Sequence, residues 1–594
     1  MRVRWRRLCA ALVGPLLVAV GVTALIPASE AAPKAKADPK AVVIPQRYLE
    51  QQVDWVDCSF DDAIKATAPG APTTRCASLY VPMDWTHPDA HPDIRLAVAW
   101  SRATGASRGL LTLNPGGPGV PGLDESASLA AVKPALFRSY DVVGFDPRGF
   151  GTSENYACRT TEDAESARLS VPDLRVRNPK THAVEVAEAK FFAGACASDE
   201  VSQFVGTQQT VSDMEFLRRY LGRDKPAFDK YNFVGISYGT WLGAWYADTY
   251  PSHTGRFILD SNMNWTSSMY ANQITDSFSF QRRRDQMFFP WVARHDKTYG
   301  YGTTTAEVKK NYEALRGRLS KAAVRDAAPD DPANFDDTIA SELFVDAYFG
   351  EAMDYILYIE SATPGSTIRG LDRAPKRKPA SAMRVQALLP TDAVGQRRAP
   401  NDEVIVETSE TPVRCNDSAY SRDVNALLKR ADADRLKYPF IGYFNTVGMC
   451  SYWPYAPATR TIDLTGVPTI LMVQAEGDPA TAYEGAAAAH KATKSHTRLV
   501  SVDDEGEHGI YSYGVSPCVE KIGDAFLLEG KLPNKDTTCT TLPMPGDTKV
   551  HRLDGPLNGS SYGLDARSRG TATPSAALRE RQRGKVDVAA QSLR

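Results

Sequence analysis

The pattern of apolar and polar residues divides this chain into two kinds of segment. Short runs of β-branched, aromatic and leucine residues are separated by longer stretches with apolar residues at helical spacing, such as residues 211–221. The short runs predict buried strands, and the longer stretches predict helices. Strands that alternate with helices predict an α/β fold built on a mostly parallel sheet with crossover connections. The predicted strands lie at residues 94–100, 109–113, 140–145, 231–234, 256–260, 467–474 and 497–502.

A long, mostly helical stretch interrupts this strand pattern. It begins after residue 262, ends near residue 457 and includes an apolar-rich helix near residues 341–361. Because strands resume at residue 467, the stretch predicts a helical cap inserted between two halves of one sheet. The predicted divisions are the first part of the core at 45–262, the cap at 263–457, the second part of the core at 458–543, and a Gly-, Ser- and Arg-rich tail at 544–594 that we expect to be disordered.

The N-terminus has the pattern of a secretion signal. Four arginines lie between residues 2 and 7, an apolar run covers residues 8–26, and small residues follow it. This pattern predicts a signal peptide at 1–31 and a flexible Ala-, Lys- and Pro-rich leader at 32–44. A permanent membrane anchor is the alternative, because the apolar run approaches spanning length, but its glycines and prolines favour cleavage. We therefore expect a secreted protein, either free or associated with the cell wall.

Composition and cysteine usage agree with export. Charged residues make up 24% of the chain and apolar residues 43%, and the formal net charge of −2 gives no reason to expect nucleic acid as a partner. Eight cysteines remain beyond the signal, and an even set favours disulfides in an exported protein. The sequence contains no C-x-x-C spacing, which is the pattern that would indicate a metal site. Pairing of neighbours is the simplest connectivity and predicts Cys58–Cys76, Cys158–Cys196, Cys415–Cys450 and Cys518–Cys539.

A G-x-S-x-G pentapeptide, Gly235–Gly239, lies where the strand at 231–234 gives way to a helix. A serine on such a sharp turn is presented at the edge of the sheet, with backbone N–H groups directed at the atom it attacks. Serine hydroxyls are weak nucleophiles at neutral pH and need an imidazole and an orienting carboxylate. The pentapeptide and its context therefore predict Ser237 as a hydrolase nucleophile.

The partners of Ser237 are expected later in the chain, acid first and histidine second. Asp478 follows the strand at 467–474, and His508 follows the last strand, which makes them the predicted acid and base; Glu476 is the nearest substitute for the acid. The other histidines lie in loops, helices or the tail. The acids around His508 are interpreted as a solvated loop: Asp503, Asp504, Glu505 and Glu507.

Two backbone N–H groups should stabilise the developing oxyanion. One is that of Tyr238, directly after the nucleophile. The other should come from the glycine-rich loop 114–119 after an earlier strand, where we favour Gly117 and keep Gly116 as the fallback. Asp146 begins a further loop, which is expected to shape the floor of the site.

These motifs together resemble the secreted bacterial tripeptidyl aminopeptidases, which are α/β-hydrolase serine peptidases related to prolyl aminopeptidase. The resemblance covers about residues 50–540 and is weakest in the cap. It implies an α/β-hydrolase fold and the release of short peptides, tripeptides in this family, from free N-termini through an acyl-enzyme on Ser237. Glu507 departs from the family pattern, in which a small residue often precedes the histidine. The matching segments are 114–119, 146–149, 235–240, 478–481, 506–509, 516–518 and 532–534, with Cys539.

An aminopeptidase must bind a protonated amine, so acidic side chains of the cap should face the site. No single one is assigned from the sequence. No metal or organic cofactor is implied. A secreted carboxylesterase or lipase with the same triad is the alternative function, and a non-catalytic cell-surface binding protein on the same scaffold is an alternative of another class. The candidate cap acids are Glu342, Asp346, Glu351, Glu360, Glu410 and Asp417.

Overall fold

A ten-stranded sheet organises the part of the chain that this computed structural model describes, which is residues 40–223, 225–325, 327–379, 403–407 and 410–557. The predicted signal peptide lies outside these residues, as do residues 32–39 of the predicted leader and 558–594 of the predicted tail. The strands are β1 (Val56–Asp57), β2 (Thr74–Pro82), β3 (Asp93–Ser101), β4 (Leu110–Asn114), β5 (Asp141–Phe145), β6 (Cys158–Thr161), β7 (Tyr231–Ile236), β8 (Thr254–Asp260), β9 (Glu403–Glu407), β10 (Ile470–Ala475), β11 (Thr497–Asp503) and β12 (Thr537–Thr540).

The strand order of the large sheet is β1-β2-β3-β5-β4-β7-β8-β10-β11-β12. Pairing is antiparallel from β1 to β5 and parallel from β5 to β12. This is the mostly parallel sheet of an α/β hydrolase, as predicted. All seven predicted strands are present, whereas β1, β2, β6, β9 and β12 were not predicted.

Residues of the central strands alternate between two apolar cores, one on each face of the sheet. In β7, Tyr231 and Phe233 pack into one core, while Val234 and Ile236 pack into the other. The strand β10 divides its side chains in the same way. Because both faces are covered, these strands are apolar at nearly every position, which is why they were recognisable in the sequence.

Helices cover both faces of the sheet and build the cap. They are α1 (Gln46–Glu50), α2 (Asp61–Thr67), α3 (Glu125–Val132), α4 (Ala135–Ser139), α5 (Glu162–Ser166), α6 (Pro179–Ala197), α7 (Thr207–Gly222), α8 (Tyr238–Thr249), α9 (Met269–Arg283), α10 (Phe289–Arg294), α11 (Asp296–Tyr299), α12 (Thr305–Ala323), α13 (Pro332–Glu342), α14 (Phe349–Ala362), α15 (Thr411–Asp417), α16 (Val424–Lys437), α17 (Tyr483–Thr493) and α18 (Pro517–Glu529).

The helix predicted near residues 341–361 is wrong at its beginning. The helix α13 ends at Glu342, a 3₁₀ turn covers Asp346–Tyr348, and α14 begins at Phe349. One continuous helix would have placed Glu342 and Asp346 on the same face, but they lie on α13 and on the 3₁₀ turn. The break directs residues 343–346 towards the sheet, where they contact the loop of His508.

A second segment, outside the predicted cap, also packs against the cap. The strand β6 pairs with β9 in a separate two-stranded sheet. Arg177 forms ion pairs with Asp432 of α16, and Asn416 of α15 donates to the backbone oxygen of Ser202. Parts of residues 158–204, which the sequence analysis assigned to the core, thus contact the predicted cap.

Residues close to both ends of the described chain pack against the core, which the sequence did not indicate. Ile44 is buried, and Lys40 forms an ion pair with Asp248 at 2.6 Å. At the other end, Leu553 is 1% exposed, and the N–H of Leu557 donates to Glu476 at 2.7 Å. The expectation of disorder from residue 544 is therefore wrong for residues 544–557.

Four disulfides join the cysteine pairs predicted from the sequence: Cys58–Cys76, Cys158–Cys196, Cys415–Cys450 and Cys518–Cys539. In the described part of the chain, no helix combines the length and the apolar character needed to cross a lipid bilayer.

Candidate active site

Ser237 occupies a strained turn between β7 and α8. Its φ of 57° and ψ of −124° lie outside the regions that non-glycine residues usually adopt. An added Cβ at Gly235 would lie 2.3 Å from the backbone oxygen of Gly239, and one at Gly239 would lie 2.6 Å from that of Asn114. Backbone packing therefore requires both glycines of the pentapeptide. The turn presents a partly exposed Ser237 at the carboxyl end of the sheet.

Asp478 and His508 are hydrogen-bonded to each other in the loops that follow β10 and β11. His508 Nδ1 lies 2.9 Å from Asp478 Oδ1 and 3.1 Å from Oδ2. Asp478 Oδ1 also accepts the N–H groups of Ala480 and Thr481, at 3.0 and 2.9 Å. Burial alone would raise the pKa of Asp478, but the attraction of His508 and these hydrogen bonds hold it below its usual range. The carboxylate thus stays ionised and fixes the ring of His508, with Nε2 as the remaining nitrogen.

Asp260, the last residue of β8, connects the serine turn to the histidine loop. Its backbone oxygen accepts the N–H of Ser237 at 3.1 Å. Its Oδ2 accepts the N–H groups of Ile510 at 2.7 Å and Tyr511 at 2.6 Å. Asp260 is fully buried. The sequence analysis missed this residue, although an acid at the carboxyl end of a buried strand was a usable signal.

The glycine-rich loop 114–119 lies against the serine turn. An added Cβ at Gly116 would come within 2.9 Å of Ser237 Cβ and 3.2 Å of Tyr238 N. The N–H of Gly116 donates to Asn114 Oδ1 at 3.1 Å and is therefore engaged within its own loop. This favours Gly117 over Gly116 as an oxyanion donor. Tyr238 begins α8, so its N–H is one of those that lack an intrahelical acceptor.

Asp146 holds the continuation of this loop rather than contacting the triad. Its Oδ1 accepts the N–H groups of Gly122 and Leu123, both at 3.0 Å, and its Oδ2 accepts from the N–H and hydroxyl of Thr152. Asp146 is thus a structural support of the site.

The cap contacts the histidine loop directly. The N–H of His508 donates to the backbone oxygen of Phe344 at 2.9 Å, and the two rings meet edge to face with centroids 5.2 Å apart. Beside this contact, Glu507 Oε1 accepts the N–H of Asp346 at 3.2 Å, while Arg283 donates to Asp346 Oδ1. The orientation of His508 therefore depends on the cap as well as on the sheet.

The acids around His508 are buried, so their interpretation as a solvated loop is wrong. Asp503, Asp504, Glu505 and Glu507 are 3%, 4%, 2% and 5% exposed. Burial and the nearby Asp346 raise the pKa of Glu505 to about 7. Local sequence could not reveal this burial, because the cap and the tail segment 541–557 cover the loop from distant parts of the chain.

Comparison with known proteins identifies relatives over most of the chain. Residues 438–539 match the family model described as TAP-like protein. The chain is 29% identical to the tripeptidyl aminopeptidase of Streptomyces lividans, over 85% of this chain and 90% of that protein. It is 26% identical to the serine protease Hip1 of Mycobacterium tuberculosis, over 83% and 91% of the two chains. It is also 27% identical to the carboxylesterase B of Mycobacterium tuberculosis, over 79% and 86%.

The chain is thus similar to tripeptidyl aminopeptidases over most of its length. The resemblance inferred from the motifs is thereby confirmed. The family model covers the segment that contains both Asp478 and His508.

The cap acids chosen from the sequence occupy three different environments. Glu360 is buried in the cap beside Arg318 and Tyr301, and Glu351 is partly exposed. Glu342 and Asp346 are buried near the break between α13 and α14. The remaining two, Glu410 and Asp417, flank α15 beside the serine turn.

Glu410 belongs to a charged group above the oxyanion loop. It lies 3.5 Å from Arg414, and Arg414 Nη2 lies 3.4 Å from the backbone oxygen of Gly117. Asp276 of α9 was missed from the sequence; the residue as a whole is partly exposed. Burial raises the pKa of Asp276 well above its usual range, Arg414 opposes this, and Asp478 adds to it. Asp276 is therefore near enough to both the triad and Arg414 for their charges to act on it.

Asp417 is linked to Tyr238, the residue after Ser237, through hydrogen bonds of Thr207. Asp417 Oδ1 accepts the N–H of Thr207 at 2.7 Å, and its Oδ2 accepts the hydroxyl of Thr207, which also bonds the hydroxyl of Tyr238 at 2.5 Å. Burial raises the pKa of Asp417 to about 7, against the hydrogen bonds from Thr207. These hydrogen bonds link α15 of the cap to the start of α8.

Proposed function

We propose that this protein is a secreted serine exopeptidase that removes short peptides, tripeptides in particular, from free N-termini. The observation that carries the proposal is the Asp478–His508 pair, held by Asp260 to the same strand end that binds the strained Ser237 turn. The similarity to tripeptidyl aminopeptidases over 85% of the chain supports the exopeptidase class.

In the proposed reaction, Ser237 Oγ attacks the scissile carbonyl while His508 Nε2 takes its proton. The N–H groups of Gly117 and Tyr238 stabilise the tetrahedral oxyanion. The C–N bond then breaks, and His508 returns the proton to the leaving amine. Water, deprotonated by His508, hydrolyses the ester on Ser237 and releases the short peptide. Asp478 keeps Nδ1 protonated throughout, so that Nε2 faces the reaction.

We assign recognition of the substrate amine to Asp276, with Glu410 as a second acid. Among the described residues, none forms a hydrogen bond or ion pair with the Asp276 carboxyl, and the residue is partly exposed. A partly buried carboxyl with a raised pKa binds an incoming ammonium group well, because the cation stabilises the ionised form. Its separation from the reaction centre would then set how many residues fit between the amine and the scissile bond.

The experiment compares peptide p-nitroanilides of two, three and four residues with free and acetylated N-termini. We expect hydrolysis of the free tripeptide and little of its acetylated form. Ser237→Ala should abolish turnover, and Asp276→Asn should raise KM for the free peptide about 10-fold or more while leaving the acetylated one unchanged. Asp372→Asn, an exposed cap acid, is the matched control. Wild-type activity in Ser237→Ala would refute the assignment of the nucleophile.

A carboxylesterase is the second candidate, because carboxylesterase B is similar over 79% of the chain. The same substrates decide between the two. Hydrolysis of simple esters that exceeds peptide hydrolysis, with no effect of amine acetylation, would favour the esterase. A fluorophosphonate probe that fails to label Ser237 would favour the non-catalytic binding protein.

Export is part of the proposal. The predicted signal peptide, the four disulfides and the tripeptidyl aminopeptidase relatives support it. N-terminal sequencing of protein from the culture medium should begin near residue 32; recovery only in the cell with an intact N-terminus would contradict this.

A further inference from the structure

Three buried carboxylates meet beside the catalytic loops without taking part in the proposed reaction. Glu476 follows β10, Asp503 ends β11, and Asp504 comes next; they are 0%, 3% and 4% exposed. One carboxylate oxygen from each lies within 4.8 Å of the other two. Like charges at such distances repel strongly in a buried environment, so the group needs a proton or a cation.

Asp503 is the unusual member of the group. Both of its carboxylate oxygens are buried, and neither accepts a hydrogen bond of acceptable geometry from the described residues, the nearest interacting groups being Glu476 and the backbone of Asp504. A buried carboxylate is normally hydrogen-bonded or paired, because its desolvation is otherwise uncompensated. Both oxygens of Asp503 are therefore available to a ligand at this position.

The other two carboxylates are held in place by backbone donors. Glu476 Oε2 accepts the N–H of Asp504 at 3.1 Å, and Glu476 Oε1 accepts that of Leu557 at 2.7 Å. Asp504 Oδ1 accepts the N–H of Leu553 at 2.8 Å. Each of these oxygens keeps a second lone pair. The segment 553–557 thus covers the group, and exposed Arg552 is the basic side chain whose charge acts on Asp504.

We propose that Glu476, Asp503 and Asp504 bind a divalent cation, calcium, that joins the loops carrying Asp478 and His508. Calcium takes oxygen ligands at about 2.3–2.6 Å, so ligands on opposite sides of one ion are about 5 Å apart. Three oxygens within 4.8 Å of one another can therefore contact a single ion. Three carboxylates and no nitrogen or sulfur donor suit calcium better than zinc.

The position of the group gives the ion a structural role. Glu476 lies two residues before the acid of the triad, and Asp504 lies in the loop that leads to His508. An ion here would connect β10, β11 and the covering segment 553–557. This goes beyond the proposed peptidase activity, because the ion contacts no reacting atom.

The test uses the purified full mature protein, treated with EDTA and dialysed, with binding measured by calorimetry and Tm by thermal unfolding. We expect one calcium per chain and a saturable rise in Tm of about 2 °C or more in millimolar CaCl₂. Asp503→Asn should fold, lose the calorimetric signal and show the same Tm in EDTA and in calcium. Asp89→Asn, which removes an exposed acid, should behave like the wild type.

Three outcomes would overturn the proposal. Equal Tm values for the wild type in EDTA and calcium, with no heat of binding, would mean that the carboxylates share protons instead. A calcium-dependent Tm that persists in Asp503→Asn would place the ion elsewhere. A response to MgCl₂ with none to CaCl₂ would refute the choice of calcium. None of these readouts depends on peptidase activity, so the proposed function is tested separately.

Discussion

Replacement of Asp260 tests whether one buried carboxylate aligns the nucleophile turn with the histidine loop. Its Oδ2 accepts the N–H groups of Ile510 and Tyr511, two and three residues beyond His508. In Asp260→Ala both N–H groups lose this acceptor inside the protein. Each unsatisfied buried donor costs about 1–3 kcal/mol, so the substitution should destabilise the loop by about 2–6 kcal/mol.

Asparagine is the matched control for this substitution. The amide oxygen of Asp260→Asn can still accept both N–H groups, with the loss of charge assistance only, which is about 1 kcal/mol for each bond. We therefore expect Asp260→Asn to keep measurable activity. If the whole loss of free energy acts on the reaction by displacing His508, the rate should fall about 10- to 30-fold. Asp260→Ala should lose at least a further 10-fold.

Two assays separate positioning from unfolding. Tm reports the stability of each variant, and the rate of Ser237 labelling by a fluorophosphonate reports the Ser237–His508 alignment. We expect Asp260→Asn to have nearly the wild-type Tm but slower labelling, whereas Asp260→Ala should be lower in both. Wild-type labelling by Asp260→Ala would refute the reasoning, because the histidine loop would then be held without this carboxylate.

Three further predictions concern the cap. Phe344→Leu removes an edge-to-face contact of about 0.5–1.5 kcal/mol with His508, so kcat should fall about 2- to 10-fold with KM unchanged; a change confined to KM would contradict this. The folded pKa of Asp417 is about 7, whereas an unfolded carboxyl titrates near about 4, so the free energy of unfolding should fall as pH rises through this interval. In measurements of Tm against pH, Asp417→Asn should be more stable than the wild type near about pH 8 and equal to it below about pH 4. Replacing Cys415 and Cys450 together by alanine should lower Tm, since a closed loop of 35 residues is worth about 4 kcal/mol by chain entropy; an unchanged Tm would show that this pair does not restrain α15.

The sheet was predictable because its information is local. Strands buried on both faces are apolar throughout, and the serine pentapeptide has a fixed place between β7 and α8. The disulfides were predictable for a similar reason, since each pair joins cysteines close in sequence, such as Cys58 and Cys76. The order of Asp478 and His508 after the last two central strands predicted that they would meet, and they are hydrogen-bonded to each other.

The contacts around the predicted triad could not be predicted from the sequence, because they join distant parts of the chain. Asp260 and Ile510 are separated by 250 residues, and no periodic pattern links them. Phe344 reaches His508 only because α13 and α14 are separate helices, whereas their apolar pattern indicated one. The acids before His508 are charged and adjacent, which is typical of surface loops, and their burial depends on the covering segment 553–557.

His508 is therefore held from two sides, and this bears on how the cap can move. From the core, Asp260 binds the backbone beyond the histidine; from the cap, Phe344 accepts the histidine N–H and packs on its ring. A cap that opened by moving Phe344 would release one side of His508 at the same time. We therefore expect any movement of Phe344 away from the histidine loop to alter the orientation of His508.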